Sequence, residues 1–150
     1  MNEKWCELIA AAGADRSDKP RFQPPAMNDE IRQAEAALAV KLPGSLIELL
    51  LETNGVQTDY GEFIWSARQI ADQNLDYRTN PDFAQLYMPF GCLLFFAEEG
   101  NGDLFAFRVL QGEAQSDAVF RWDHESDSRT LVAGRLESFV GRWLRNELSS

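Results

Sequence analysis

The residues best suited to chemistry gather between Glu98 and Asp127. Glu98, Glu99 and Asp103 flank the turn-like Gly100-Asn101-Gly102, and Asp123, His124, Glu125 and Asp127 follow an apolar run further on. Paired carboxylates can do general acid–base work, alternate oxygens can hold calcium, and a histidine can activate a thiol or hydroxyl. Each of these falls short. Asp123-x-Glu125-x-Asp127 starts like a calcium loop, but Ser128 stands where the loop needs glycine and the closing glutamate is missing. His124 is the single histidine, so zinc would lack the usual pair. Cys92 opens a buried-looking strand away from His124, and Ser126 is too close in sequence to face it easily. Glu98 and Asp123 mimic a glycosidase pair only as any two acids in such a patch would. The Gly100–Gly102 turn has no following helix or lysine to cradle phosphate. The expectation is no catalytic residue, no metal and no cofactor.

The same acids make better sense as a contact surface. From Glu98 to Asp127 there are eight acids and two arginines, net −6, within a chain of net charge −10. Such a surface repels nucleic acid and anionic membranes, and no cluster of lysine or arginine offsets it. A protein with a basic surface is the natural partner, because opposite charge raises the encounter rate and filters partners. Cys6 and Cys92 lack metal-ligand spacing and are too few for a disulfide scaffold, which fits a reduced, cytoplasmic protein. No run of residues approaches a membrane span, and Glu7 interrupts the N-terminal apolar stretch where a signal peptide would need continuity.

The elements that must position these residues can be read from periodicity. Leu93–Ala97 and Leu104–Val109 read as a hairpin around Gly100 and Gly102, with Val119–Trp122 as the next strand and Thr130–Ala133 as a fourth. In such a meander the turns at 98–103 and 123–127 share one end of the sheet, forming an acidic edge. Trp5, Leu8, Ile9 and Ala12 mark a helix over Asn2–Ala12. Residues 14–26 hold three prolines and form an irregular connector. Asn28 is placed to cap a helix that Leu42-Pro43 ends, and Gly44–Thr53 forms another, closed by Asn54-Gly55. Phe63–Trp65 is a short strand, after which Ser66 caps a helix over Ala67–Asn74. Asn80-Pro81 marks a turn, with a turn of helix before Tyr87. Leu136, Phe139, Val140, Trp143 and Leu144 give a closing helix over Arg135–Asn146. Trp65, between strand and helix, favours the core but is kept as a candidate contact. The fold class is α+β: N-terminal helices and a C-terminal helix packed around a central, mainly antiparallel β-sheet. Residues 1–150 form a single domain, with 1–23 as helix and connector and 24–146 as the core.

In this order the motifs resemble the SUKH superfamily, the Smi/Knr-type proteins named partly for a yeast cell-wall synthesis regulator. The residues are Ile31, Glu35, Leu38, Leu42-Pro43, Leu46, Leu49, Leu50, Asn54-Gly55, Ile64-Trp65 and Ile70. They continue with Pro89-Phe90-Gly91, Gly100-Asn101-Gly102-Asp103, Val119, Trp122-Asp123-His124, Ser138-Phe139 and Trp143-Leu144, covering 24–146. Arg108 departs from the pattern, since members often place an acid there. The resemblance implies helices on a central sheet and, for bacterial members, an immunity protein that neutralises a toxin, often a nuclease, encoded beside it. It implies no catalytic residues. The expected contact set is Trp65, Glu98, Glu99, Asn101, Asp103, Asp123, His124, Glu125 and Asp127, meeting a cognate toxin with a basic surface. The alternative function is a regulatory or scaffolding module without catalysis. Oligomeric state stays open.

Overall fold

A computed structural model describes residues 4–59 and 61–148. Among these, the helices are α1 (Lys4–Ala12), α2 (Asn28–Leu38), α3 (Gly44–Glu52), α4 (Ala67–Thr79), α5 (Pro81–Leu86) and α6 (Leu136–Leu144). The strands are β1 (Arg21–Phe22), β2 (Val56–Thr58), β3 (Gly61–Ile64), β4 (Leu93–Glu98), β5 (Leu104–Leu110), β6 (Glu113–Ala114), β7 (Val119–Trp122) and β8 (Arg129–Ala133). They build one antiparallel sheet in the order β1-β2-β3-β4-β5-β7-β8, with β6 paired to the end of β5. The α+β class and the run of neighbours β4, β5, β7 and β8 are as the sequence reading expected.

The centre of the sheet is buried on both faces. Residues Leu93 to Ala97 are all buried, which explains why β4 reads as a continuous apolar run rather than an alternating one. Consecutive Phe95 and Phe96 point to opposite faces, as the strand period requires. Phe95 joins Tyr77, Phe90 and Trp122 under α4 and α5. Phe96 stacks on Phe107 and meets Phe139 of α6. On that second face Trp143 stacks on Phe63 at 3.8 Å, and the Arg16 guanidinium covers its outer side at 4.8 Å. Packing of α1 against α6 and α3 completes the layer, and the α1 amides of Trp5 and Cys6 donate to the Glu52 carboxylate.

Several boundaries differ from the sequence expectation. The first helix matches from Lys4 onward, while Asn2 and Glu3 lie outside the described residues. Asn28 is the first helical residue of α2 and not its cap; Met27 takes the cap position, its N–H donating to Glu30 Oε1 at 2.9 Å. The helix stops at Leu38, ahead of Leu42-Pro43, because Ala39 turns left-handed at φ 53°. Glu35 then accepts the Leu42 amide at 2.8 Å and Lys41 bridges to Glu113, so residues 40–42 leave the helix as extended chain. The Ser66 cap is present, accepting from Gln69 N, but α4 runs on to Thr79, where Asn80 and Pro81 start α5. Cys92 is exposed rather than buried. The connector conceals β1, and the loop after Gly55 contains β2; neither is long enough to show a period.

Candidate functional site

Two turns meet at one end of the sheet. The first joins β4 to β5. Gly100 and Gly102 have φ of 99° and 103°, a region open to glycine, and Asn101 Oδ1 accepts from Asp103 N at 2.9 Å. Glycine is required at 102 for a second reason: a Cβ there would lie 2.9 Å from the His124 ring. The imidazole of the second turn therefore rests on the backbone of the first.

The second turn joins β7 to β8. Asp123 Oδ1 accepts from Glu125 N at 2.8 Å and Ser126 N at 3.2 Å, and Asp127 N donates to Asp123 O at 2.8 Å. Asp127 itself is left-handed at φ 61°, and its carboxylate accepts from Trp122 Nε1 at 2.8 Å, Met88 N at 2.9 Å and Arg129 Nη2 at 3.1 Å. Arg129 also donates to the Met88 and Pro89 carbonyls and approaches Cys92 Sγ at 3.5 Å. The Tyr87 hydroxyl donates to His124 O at 2.7 Å. The second turn is thus pinned to residues 87–92, the approach to β4.

Between the turns, His124 Nδ1 lies 2.6 Å from Asp103 Oδ1. The hydrogen bond to Asp103 raises the His124 pKa above its ordinary 6.5; burial opposes this, and Asp103, Glu125 and Asp123 add to it through charge. Asp127 is held below its ordinary 3.8: burial pushes it up, but the donors Met88, Trp122 and Arg129 outweigh that. Glu98, half-buried, is pushed up mainly by burial and also by Glu62, while a hydrogen bond to the Trp65 side chain works the other way.

The acids named from sequence do lie together, but several are answered from within. Glu99 pairs with Arg121 at 2.9 Å, Asp127 with Arg129 and Asp103 with His124. The charge open to a partner is therefore smaller than the net −6 between Glu98 and Asp127, because Arg121, Arg129 and His124 each answer one of these acids. Glu125 and Asn101 are exposed, and Glu98, Glu99, Asp103, Asp123, His124 and Asp127 are partly exposed. Trp65 is only 3% exposed, so its side chain acts from the core. Beside Glu98 and Glu99, a cleft of about 430 Å³ is walled by Glu62, Arg16 and Trp143, residues the sequence reading did not join to this end.

Chemically, the end offers carboxylates and one imidazole. Asp103, Asp123 and His124 bring ligand atoms within 4.8 Å of one another, a mixed oxygen–nitrogen set of the kind that suits a transition metal. The calcium-loop order does not form, since Asp127 turns to Trp122 and Arg129. Among the described residues, the hydrogen bond of the His124 ring is to Asp103, and the Ser126 hydroxyl goes to Ser128 Oγ.

A family model described as SUKH_6, SMI1-KNR4 cell-wall, matches residues 28–140. The chain belongs to the SMI1-KNR4 (SUKH) family. The match spans both turns and every strand from β2 to β8. No curated protein matches the chain. Among the described residues no helix is long and apolar enough to cross a membrane.

Proposed function

We propose that this SUKH protein is an immunity-type binder. It acts in the cytoplasm without catalysis or cofactor, occupying the basic, nucleic-acid-binding cleft of a cognate toxin and blocking substrate access. The observation that carries this reading is the joining of two acidic turns at one sheet end, braced by Asp103–His124 and the Asp127 network. A preformed surface binds without a large ordering cost, and its charge speeds capture. The contact set is Glu98, Glu99, Asn101, Asp103, Asp123, His124, Glu125 and Asp127, with Trp65 supporting Glu98 from the core. A regulatory scaffold is the second reading, favoured by the cell-wall description of the matching family.

The test is association with the product of the adjacent gene. Exposed Glu125 and Asn101 are the residues to change, because Glu99 and Asp127 are committed to the fold. Glu125→Lys with Asn101→Lys slows association by about tenfold at low salt, and the difference narrows as salt shortens the Debye length. Glu113→Lys, on the turn at the opposite end of the sheet, leaves the rate unchanged. Equal, small effects from both ends would remove the acidic end as the contact.

A further inference from the structure

The cleft of about 430 Å³ beside the acidic turns lies where β3, the β4–β5 turn and the end of α6 meet. Its charges are unevenly answered. Glu99 is paired with Arg121 at 2.9 Å, and Arg16, the cation in the wall, is paired with Asp18 at 2.9 Å. Arg16 also donates to Leu144 O and covers the Trp143 ring, so its guanidinium is held against α6. Glu62 and Glu98 are left. Among the described residues neither makes an ion pair. Glu62 accepts from Gln57 Nε2 at 2.9 Å and Glu98 from the Trp65 side chain, and both donors are neutral. Both carboxylates are partly buried. Burial, with Glu62 nearby, pushes Glu98 above its ordinary 4.5, as befalls a carboxylate without a counter-ion. Holding such a charge away from water is unfavourable, and a cation supplied from outside relieves it.

We infer that this cleft seats one arginine side chain of the basic partner, with its guanidinium between Glu62 and Glu98 and its methylene stem along Trp143. The inference rests on the reading of this end as a binder of a basic protein surface, and it names the anchor within that surface. Charge complementarity calls for a cation, and the lining selects which one. A guanidinium is planar, with donors enough to serve two carboxylates at once. An ammonium is compact and strongly hydrated, so it loses more on entering a half-buried site. The two faces of Trp143 are taken by Phe63 and Arg16, which leaves the edge of the ring for an apolar stem. An arginine enclosed in this way acts on how long a complex lasts, whereas rim charges such as Glu125 act on how fast it forms.

NMR titration of the full chain with N-acetyl-L-arginine amide, whose only charge is the guanidinium, tests it. The expected result is saturable shifts of the Trp143 indole N–H and the Glu98 amide. With the cleft filled, the Glu98 carboxyl titrates lower, because a cation favours its charged form. N-acetyl-L-lysine amide binds several-fold more weakly. Glu98→Gln and Glu62→Gln each weaken the arginine amide by about fivefold or more, and Glu125→Gln, outside the cleft, leaves it unchanged. Glutamine keeps the size and an acceptor oxygen, and thermal melts confirm that each variant is folded. Against the product of the adjacent gene, Glu98→Gln speeds dissociation by about tenfold or more. A complex whose dissociation ignores Glu98→Gln overturns the anchor and leaves the toxin-binding reading standing. Arginine amide that binds while no complex forms supports the arginine site and removes the toxin-binding reading. Shifts indifferent to Glu62 and Glu98, equal binding of the lysine amide, or a cleft that takes calcium in place of the arginine amide overturn the inference.

Discussion

His124 grips Asp103 twice: Nδ1 lies 2.6 Å from Oδ1, and the His124 main-chain N–H donates to the same oxygen at 3.2 Å. Two turns from different hairpins are thereby tied through one carboxylate, with the ring seated on Gly102. The tie responds to pH because the proton on the imidazole is held more tightly in the folded protein than in the unfolded chain, whose value is near 6.5.

The stabilisation from this proton is present in full below about 6.5 and is lost as pH rises through the higher folded value. A titration of the His124 ring signals by NMR should therefore show a midpoint above 6.5. Asp103→Asn, which removes the charge and keeps the size, should bring it back towards 6.5. A wild-type midpoint at or below that value contradicts the arrangement.

Much of the frame was legible because its signals are local. The stripe Leu136, Phe139, Val140 carries the helical period, and all three are fully buried. Gly100 and Gly102 announce a turn because both take positive φ. Other features leave no local trace. β1 and β2 are two and three residues long, too short for alternation. Ala39 ends α2 in a left-handed conformation that alanine seldom takes, held by Lys41 N donating to Gly112 O across the fold. At the site, the acids were found by composition, but their partners Arg121 and Arg129 were not. Whether a carboxylate is free or answered depends on side-chain reach between strands, which spacing along the chain does not encode.

Asn74 is another long-range arrangement that sequence does not disclose. It is 1% exposed; its Nδ2 donates to Ile70 O at 2.7 Å and Phe95 O at 2.8 Å, and its Oδ1 accepts from Phe95 N at 2.9 Å. β3 reaches β4 through Ile64 opposite Ala97 and Trp65 N to Phe96 O. At Phe95 the Asn74 amide stands in for the missing strand. Asn74→Ala orphans the Phe95 N–H and C=O, at about 1–3 kcal/mol for each buried group left unpaired. Chemical denaturation should show a loss within about 2–6 kcal/mol, and the Phe95 amide should exchange faster with solvent. Unchanged stability would mean that water or the chain supplies both bonds.

Asp127 is the keystone of the second turn, and its variants separate charge from backbone. The Trp122 indole N–H is buried with its ring and has Asp127 as its acceptor. Asp127→Ala leaves that donor unmet, about 1–3 kcal/mol, and puts alanine at φ 61°, about 1–2 kcal/mol more. The expected loss in urea denaturation near neutral pH is about 2–5 kcal/mol. Asp127→Asn tolerates the left-handed backbone and still accepts from the indole, but it gives up the charge facing Arg129. Its loss should be smaller and pH-dependent. Because the folded Asp127 lies below 3.8, its contribution is present above that value and disappears as pH falls through the folded one. The gap between wild type and Asp127→Asn should therefore close in acid, while the gap to Asp127→Ala narrows without closing, since its backbone cost does not titrate. Alanine and asparagine variants of equal stability at neutral pH would show that neither the indole bond nor the left-handed turn bears on the fold.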